Sequence, residues 1–294
     1  MSKFIKLLAI ASLTLVLTWC AHVKKETAME HSNLSNEEMM HTEHKWDTGA
    51  SAWITASPRH QERVEINNNW KIIYTWVVYP QVNKPSPVVL VIHENKWLND
   101  WARQMADDIA AQWYIAIAPD LLSSFSSDKK RTSDFATEDE ATKALYTLKP
   151  EDVMSDLKAV EAYADSIQAS NGKIASAWFC WGGSQSFRYA TASSGVDHAF
   201  VFYGSAPEDW TLFANITAPV TAYYGWDDAR INWTIPKTET NMKQYNKSYT
   251  YEIYSGAWHA FMRNALAADA SQANKDAREK AFADMLVKLQ ELNK

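Results

Sequence analysis

Glycine is scarce in this chain, with 8 among 294 residues, where a globular protein of that length holds about 20 at the usual ~7%. Cysteine is scarcer: only Cys20 and Cys180 occur, which excludes a disulfide framework unless these two pair. Basic charge is also short. Twenty-nine Lys and Arg stand against 35 Asp and Glu, a net charge of -6, so there is no positive field for nucleic acid. The longest apolar run near the start, Leu7 to Leu17, is too short to span a membrane comfortably as a helix.

What is abundant is tryptophan, with 14 copies. The deficit of one residue and the excess of the other are of similar size, and the tryptophans fall at turns. Trp113 sits between a predicted helix and a predicted strand, where a helix end favours glycine. Trp226 follows Gly225 at a strand end, Trp258 precedes a histidine and Trp70 follows three asparagines. Indole suits none of these places if the backbone needs φ > 0. The expectation is that several are glycines in the native protein, the gene having been read with UGA as Trp where its source reads Gly. The candidates are Trp19, Trp70, Trp97, Trp113, Trp178, Trp226 and Trp258, with Trp210 and Trp233 next. The alternative is a protein that is Trp-rich as written.

Lys3 and Lys6 followed by the short apolar run read as an export signal. The run ends Leu17, Thr18, Trp19, Cys20, which resembles a bacterial lipobox in which Cys20 is lipidated and becomes the mature N-terminus. Trp19 stands where a small residue belongs, and glycine there removes the defect. The plainer alternative is an ordinary signal with an incidental cysteine. Residues 1–19 are thus expected to be signal, 20–50 a polar tether and 51–294 one folded domain that is extracytoplasmic and lipid-anchored to a bacterial membrane. His22, His31, His41 and His44 lie in the tether with Met29, Met39 and Met40. Such residues suit copper, but their irregular spacing implies no compact site.

From residue 62 short β-rich runs alternate with helical ones. Glu62 to Ile66 and Lys71 to Tyr79 predict an entry hairpin, and Val88 to Ile92 is a continuous apolar run suited to a buried parallel strand. Tyr114 to Ala118, Ile174 to Phe179, Ala199 to Tyr203, Val220 to Tyr224 and Tyr249 to Tyr254 complete the strands. Predicted helices lie near 100–112, 138–148, 151–169, 183–192, 236–245 and 270–292. The alternation implies an α/β fold, a mostly parallel sheet with helices on both faces.

The strand ending at Phe179 runs into Cys180, Trp181, Gly182, Gly183 and a helix, the context of a nucleophile elbow, G-x-S-x-G in its usual form. Cysteine replaces serine here, and Trp178 stands where the first glycine belongs. A lone cysteine among apolar neighbours is ordinarily buried structure, but its partners follow in the chain order nucleophile, acid, histidine. Gly225, Trp226, Asp227, Asp228 close one strand and Gly256, Ala257, Trp258, His259 another. All lie at carboxyl ends of strands, where catalytic groups gather. The histidine would take the thiol proton and the acid would orient its ring.

His93-Glu94-Asn95-Lys96-Trp97, Ala118-Pro119-Asp120-Leu121, Phe179-Cys180-Trp181-Gly182-Gly183, Asp227-Asp228-Ala229-Arg230 and His259-Ala260-Phe261 together resemble the dienelactone hydrolase family, an α/β-hydrolase family, over about residues 58–292. The resemblance implies that Cys180, Asp228 in preference to Asp227, and His259 are catalytic. It implies that Glu94 meets the thiol in the resting enzyme and helps form the thiolate. Backbone N–H groups of Asn95 and Trp181 would form the oxyanion hole, and Arg263 would bind a substrate carboxylate. A second family arginine, upstream of the elbow, has no counterpart. The implied function is hydrolysis of a small-molecule ester or lactone, carboxymethylenebutenolidase-like, with no metal or organic cofactor and no nucleic acid. The alternatives are a catalytically inactive, surface-anchored binding protein on the same fold, and a serine-type esterase or acyl transferase, against which Cys180 argues.

Overall fold

The computed structural model describes residues 54, 56–69 and 71–294. The expected signal, tether and Cys20, with Trp19 and Trp70, lie outside the described residues. An eight-stranded sheet has the order β1-β2-β4-β3-β5-β6-β7-β8. β1 (His60–Asn68) and β2 (Lys71–Tyr79) form the expected antiparallel hairpin, with Ile66 opposite Ile73, and β2 runs antiparallel to β4 (Ile115–Pro119). β3 (Ser86–Ile92), β5 (Ser170–Phe179), β6 (His198–Phe202), β7 (Val220–Gly225) and β8 (Tyr249–Tyr254) continue the sheet in parallel from β4.

The apolar run in β3 is buried throughout because both faces are covered. Val89 and Val91 enter one core and Val88, Leu90 and Ile92 the other, as the period of two in a strand requires. The first core is closed by α1 (Asp100–Ala110) through Ala102, Met105, Ala106 and Ile109, and by the last long helix through Ala277, Ala281, Met285 and Leu289. Residues four apart share a helix face, which accounts for the second set. The opposite core receives α2 (Glu138–Thr147), α3 (Pro150–Ser166) and Tyr189 of α4 (Trp181–Ala192). Caps fix where helices begin: Asn99 Oδ1 accepts from Ala102 N at 3.1 Å, and Thr137 Oγ1 from Glu140 N at 3.1 Å.

Some elements differ from expectation in ways that bear on the site. α4 starts at Trp181, directly after Cys180, two residues earlier than the glycines suggested. β5 starts at Ser170, its polar first turn attached by the Ser86–Ser170 pairing with a register shift before Val88. Two one-turn helices, α5 (Ala229–Asn232) and α7 (Phe261–Asn264), follow the acid and histidine loops. Four residues are too few to show a helical period. Among the described residues the remaining α-helices of a full turn or more are α6 (Ile235–Gln244) and α8 (Gln272–Gln290).

Candidate active site

The carboxyl end of β5 turns sharply into α4 at Cys180, whose φ of 57° and ψ of −115° lie outside the regions an L-residue prefers. Neighbouring backbones pay for that conformation: Cys180 N–H donates to Phe202 O of β6 at 3.1 Å. Gly182 and Gly183 allow the approach. A Cβ on Gly182 would lie 2.6 Å from His93 O, and one on Gly183 would lie 2.7 Å from the Cα of Gly204. The sulfur is thus presented at the head of a helix, beside the loop that follows β3.

Asp228 and His259 reach it from the next two strand ends. Asp228 is buried and forms the N-cap of α5; His259 sits between β8 and α7. His259 Nδ1 lies 2.5 Å from Asp228 Oδ2, and His259 Nε2 lies 3.0 Å from Cys180 Sγ. The histidine loop is tied down by Asn264 Nδ2 donating to His259 O at 3.0 Å and by Trp258 N–H donating to Asn274 Oδ1 at 3.0 Å. Gly225 lets the two loops touch, since a Cβ there would lie 2.5 Å from Ala257 O. Asp227 is exposed, and its N–H bonds to Ala257 O at 3.0 Å. Burial opposes charging the imidazole, but hydrogen bonds to Asp228 and Cys180 outweigh it and raise His259 to about 9.

The Glu94 carboxylate is 1% exposed and doubly held: Tyr203 Oη donates to Oε1 at 3.0 Å, and Arg263 Nε to Oε2 at 2.6 Å. The sulfur of Cys180 lies against His259 Nε2. A buried carboxylate needs a cation and donors to offset its desolvation, and the guanidinium and phenol supply both. Arg263 is correspondingly raised, with burial opposing and Glu94 prevailing. Its side chain is still 38% exposed, so part of the fork remains open to a ligand. Burial foremost, then the adjacent Glu94, keeps the Tyr203 hydroxyl protonated and so a donor. Tyr203 escaped notice in the sequence because it reads there only as a strand end. Asn95 follows β3, with its carbonyl accepting from Thr142 Oγ1 at 3.3 Å. Trp181 is the first residue of α4, whose N–H has no intrahelical acceptor.

The tryptophans divide. Among those described, Trp97 and Trp113 have positive φ, 53° and 72°. Trp178 does not share that conformation. Its indole is buried against Tyr189, ring centroids 5.4 Å apart, although its N–H has no partner. In an extended strand the side chain leaves the plane of the turn, whereas Gly182 meets backbone. Trp226, Trp233 and Trp258 are exposed.

A mostly parallel sheet clad on both faces, with an elbow and an acid–histidine pair at its carboxyl edge, defines an α/β-hydrolase. The model of the Dienelactone hydrolase family matches residues 73–292, and the chain belongs to that family of hydrolases. A candidate carboxymethylenebutenolidase of Saccharolobus solfataricus is 28% identical over 228 residues, 67% of this chain and 86% of that protein. One of Escherichia coli is 26% identical over 192 residues, 62% and 69% of the two chains. The crystal structure of a candidate dienelactone hydrolase from Klebsiella pneumoniae superposes with a TM-score of 0.70 at 20% identity, covering 79% of this chain and 98% of that one. A dienelactone hydrolase-like promiscuous phosphotriesterase from metagenomic libraries gives 0.67 at 18% identity, covering 80% and 98%.

Proposed function

We propose that this chain hydrolyses a small ester or lactone through a cysteine thioester, with Cys180 as nucleophile, His259 as proton carrier and Asp228 as its orienting acid. The observation that carries the reading is the unbroken contact from Asp228 through His259 to the sulfur at the elbow. His259 Nε2 takes the thiol proton as the sulfur attacks the carbonyl carbon, and the carbonyl oxygen takes the charge, facing the N–H groups of Asn95 and Trp181. Collapse breaks the carbon–oxygen bond, and the leaving oxygen takes the proton from His259 Nε2. Water then gives a proton to Nε2 and attacks the thioester, and the carbon–sulfur bond breaks to restore the thiolate. In a lactone the leaving oxygen stays on the product, so ring opening gives one molecule. Arg263, partly open while it holds Glu94, would meet a substrate carboxylate.

Hydrolysis of p-nitrophenyl acetate and of a dienelactone, with acetyl trapped on Cys180, is the expected outcome, and Cys180→Ala abolishes both. Turnover surviving in that variant would refute the assignment. Folded protein with no turnover would favour a binding protein on the same fold.

Two further parts of the reading concern the native chain. Cys20 is a lipid anchor that holds the domain outside the cytoplasm, and palmitate labelling of expressing cells should be lost in Cys20→Ala. The tryptophans at 97 and 113, and by extension those at 19, 70, 178, 226 and 258, are glycine in the native protein. Left-handed backbone at Trp97 and Trp113 supports this. Peptide mass spectrometry of protein from its source decides it, and tryptophan at 97 and 113 would overturn it.

A further inference from the structure

His93 is wholly buried in the loop after β3 and touches neither Cys180 nor His259 by a hydrogen bond. Its two nitrogens are both used. Nδ1 lies 2.8 Å from the carbonyl oxygen of Glu94, and Nε2 lies 3.4 Å from Leu121 N, which donates to it. Only one tautomer satisfies both contacts: Nε2 accepts, so Nδ1 carries the hydrogen and donates to the Glu94 carbonyl. Burial lowers the imidazole's pKa, against the pull of the Glu94 carbonyl and of Asp120, which keeps this neutral form in place.

The carbonyl that His93 holds belongs to the same planar peptide as the N–H of Asn95. In a trans peptide the C=O and the N–H point in opposite directions, so a donor that fixes one aims the other. His93 also lies parallel to the indole of Trp181, centroids 6.2 Å apart and planes 9° apart. Its own carbonyl packs against Gly182, where a Cβ would lie 2.6 Å away. His93 therefore borders both segments to which the reading above assigns the oxyanion donors.

We infer that His93 is the positioning residue of the oxyanion hole, its Nδ1–H locking the Glu94–Asn95 peptide so that the Asn95 N–H is set against the carbonyl oxygen as it gains charge. This rests on the thioester reading above. It predicts that the hydrogen-bond donor at Nδ1, not the ring, carries the effect. His93→Asn places an amide N–H near Nδ1 and should retain kcat within about threefold. His93→Gln reaches the Nε2 position instead and should lose kcat by roughly 10²-fold with KM unchanged, the scale of one lost oxyanion donor.

The test uses the full chain with two reagents. Iodoacetamide alkylates Cys180 without forming an oxyanion; p-nitrobenzaldehyde adds reversibly, the sulfur bonding to the carbonyl carbon while the carbonyl electron pair moves to oxygen. Equal alkylation rates in wild type and His93→Gln, with aldehyde affinity weakened about tenfold or more and restored in His93→Asn, are the expected result. Equal alkylation with equal aldehyde affinity overturns the role of His93 alone. Weakening of aldehyde binding to the same degree in both variants overturns it as well, because a donor at Nδ1 would then not matter. Wild-type Cys180 inert to iodoacetamide would instead sink the thioester reading.

Discussion

Left-handed backbone occurs in two settings in this molecule, and they are filled differently. At the periphery it is taken by Asn69 in the β1–β2 turn and Asn246 after α6, residues that tolerate φ > 0 because the short amide bonds locally. At the site it is taken by Cys180, Tyr203 and Ala260, none of them a natural choice. Strain of this kind persists only where surrounding structure over-determines it. Here Cys180 N–H is held by Phe202 O at 3.1 Å, Tyr203 N–H by Tyr223 O at 2.8 Å, and the carbonyl of Ala260 caps α7. The peripheral asparagines suit their backbone, whereas Cys180 and Tyr203 carry side chains that the site uses in spite of theirs. Trp97, Trp113 and Ser124, also at positive φ, fit neither group.

Substitutions ranked by effect can break or sharpen that contrast. The largest belongs to Cys180: Cys180→Gly would suit the backbone while removing the sulfur, and turnover of p-nitrophenyl acetate should fall by about 10³-fold or more even if the thermal midpoint rises. A stable and active Cys180→Gly would end the argument that the strained residue is kept for its chemistry. Next, Asp228→Asn should lower kcat by roughly 10²- to 10⁴-fold, through loss of ring orientation and of imidazolium stabilisation. Asp227→Asn, on the exposed neighbour, should leave kcat within about twofold of wild type. Similar losses in both would reassign the acid.

The third prediction concerns pH. His259 is raised in the folded protein to about 9, above an unfolded value near 6.5. Its contribution to stability is therefore complete below about pH 6.5 and is lost as pH rises through about 9. Thermal unfolding of the wild type measured from pH 6 to 10 should show a decline across that window which His259→Gln lacks. An identical slope in the two proteins would show that the ring gains no proton affinity on folding.

The smallest effects test the tryptophans and the asparagines. Trp113 is exposed and left-handed, so Trp113→Gly should gain about 0.5–1 kcal/mol, the relief of left-handed strain less the entropy of glycine. Asn246→Gly should change stability by only a few tenths of a kcal/mol, because asparagine already accepts the conformation. Chemical denaturation resolves the pair, and equal gains at both positions would remove the distinction between a replaced residue and a chosen one.

The parallel sheet, the elbow and the acid–histidine order could be read from the chain because each is local: an apolar strand, then its turn, then the residue at its end. The pairing of Glu94 with Arg263 could not, since it depends on β3 and the loop after β8 converging on one edge of the sheet. The same is true of Tyr203, whose hydroxyl reaches Glu94 only because β6 and β3 flank β5. The resemblance supplied Glu94 as a residue of interest but not the guanidinium and phenol that hold it in this structure. His93 stood in a quoted segment without a role, because a histidine that bonds to the next residue's carbonyl leaves no mark in spacing.

The long reach of these contacts has a consequence for the order in which the molecule comes into being. Glu94 meets Tyr203 across 109 positions and Arg263 across 169, while Cys180 waits 79 positions for His259. A chain growing from its N-terminus builds the elbow while its histidine is still unmade. The nascent polypeptide thus carries its sulfur before its imidazole exists, and under the proposed mechanism hydrolytic competence arrives late in synthesis, once the segment through Arg263 has emerged and the last strand has joined the sheet.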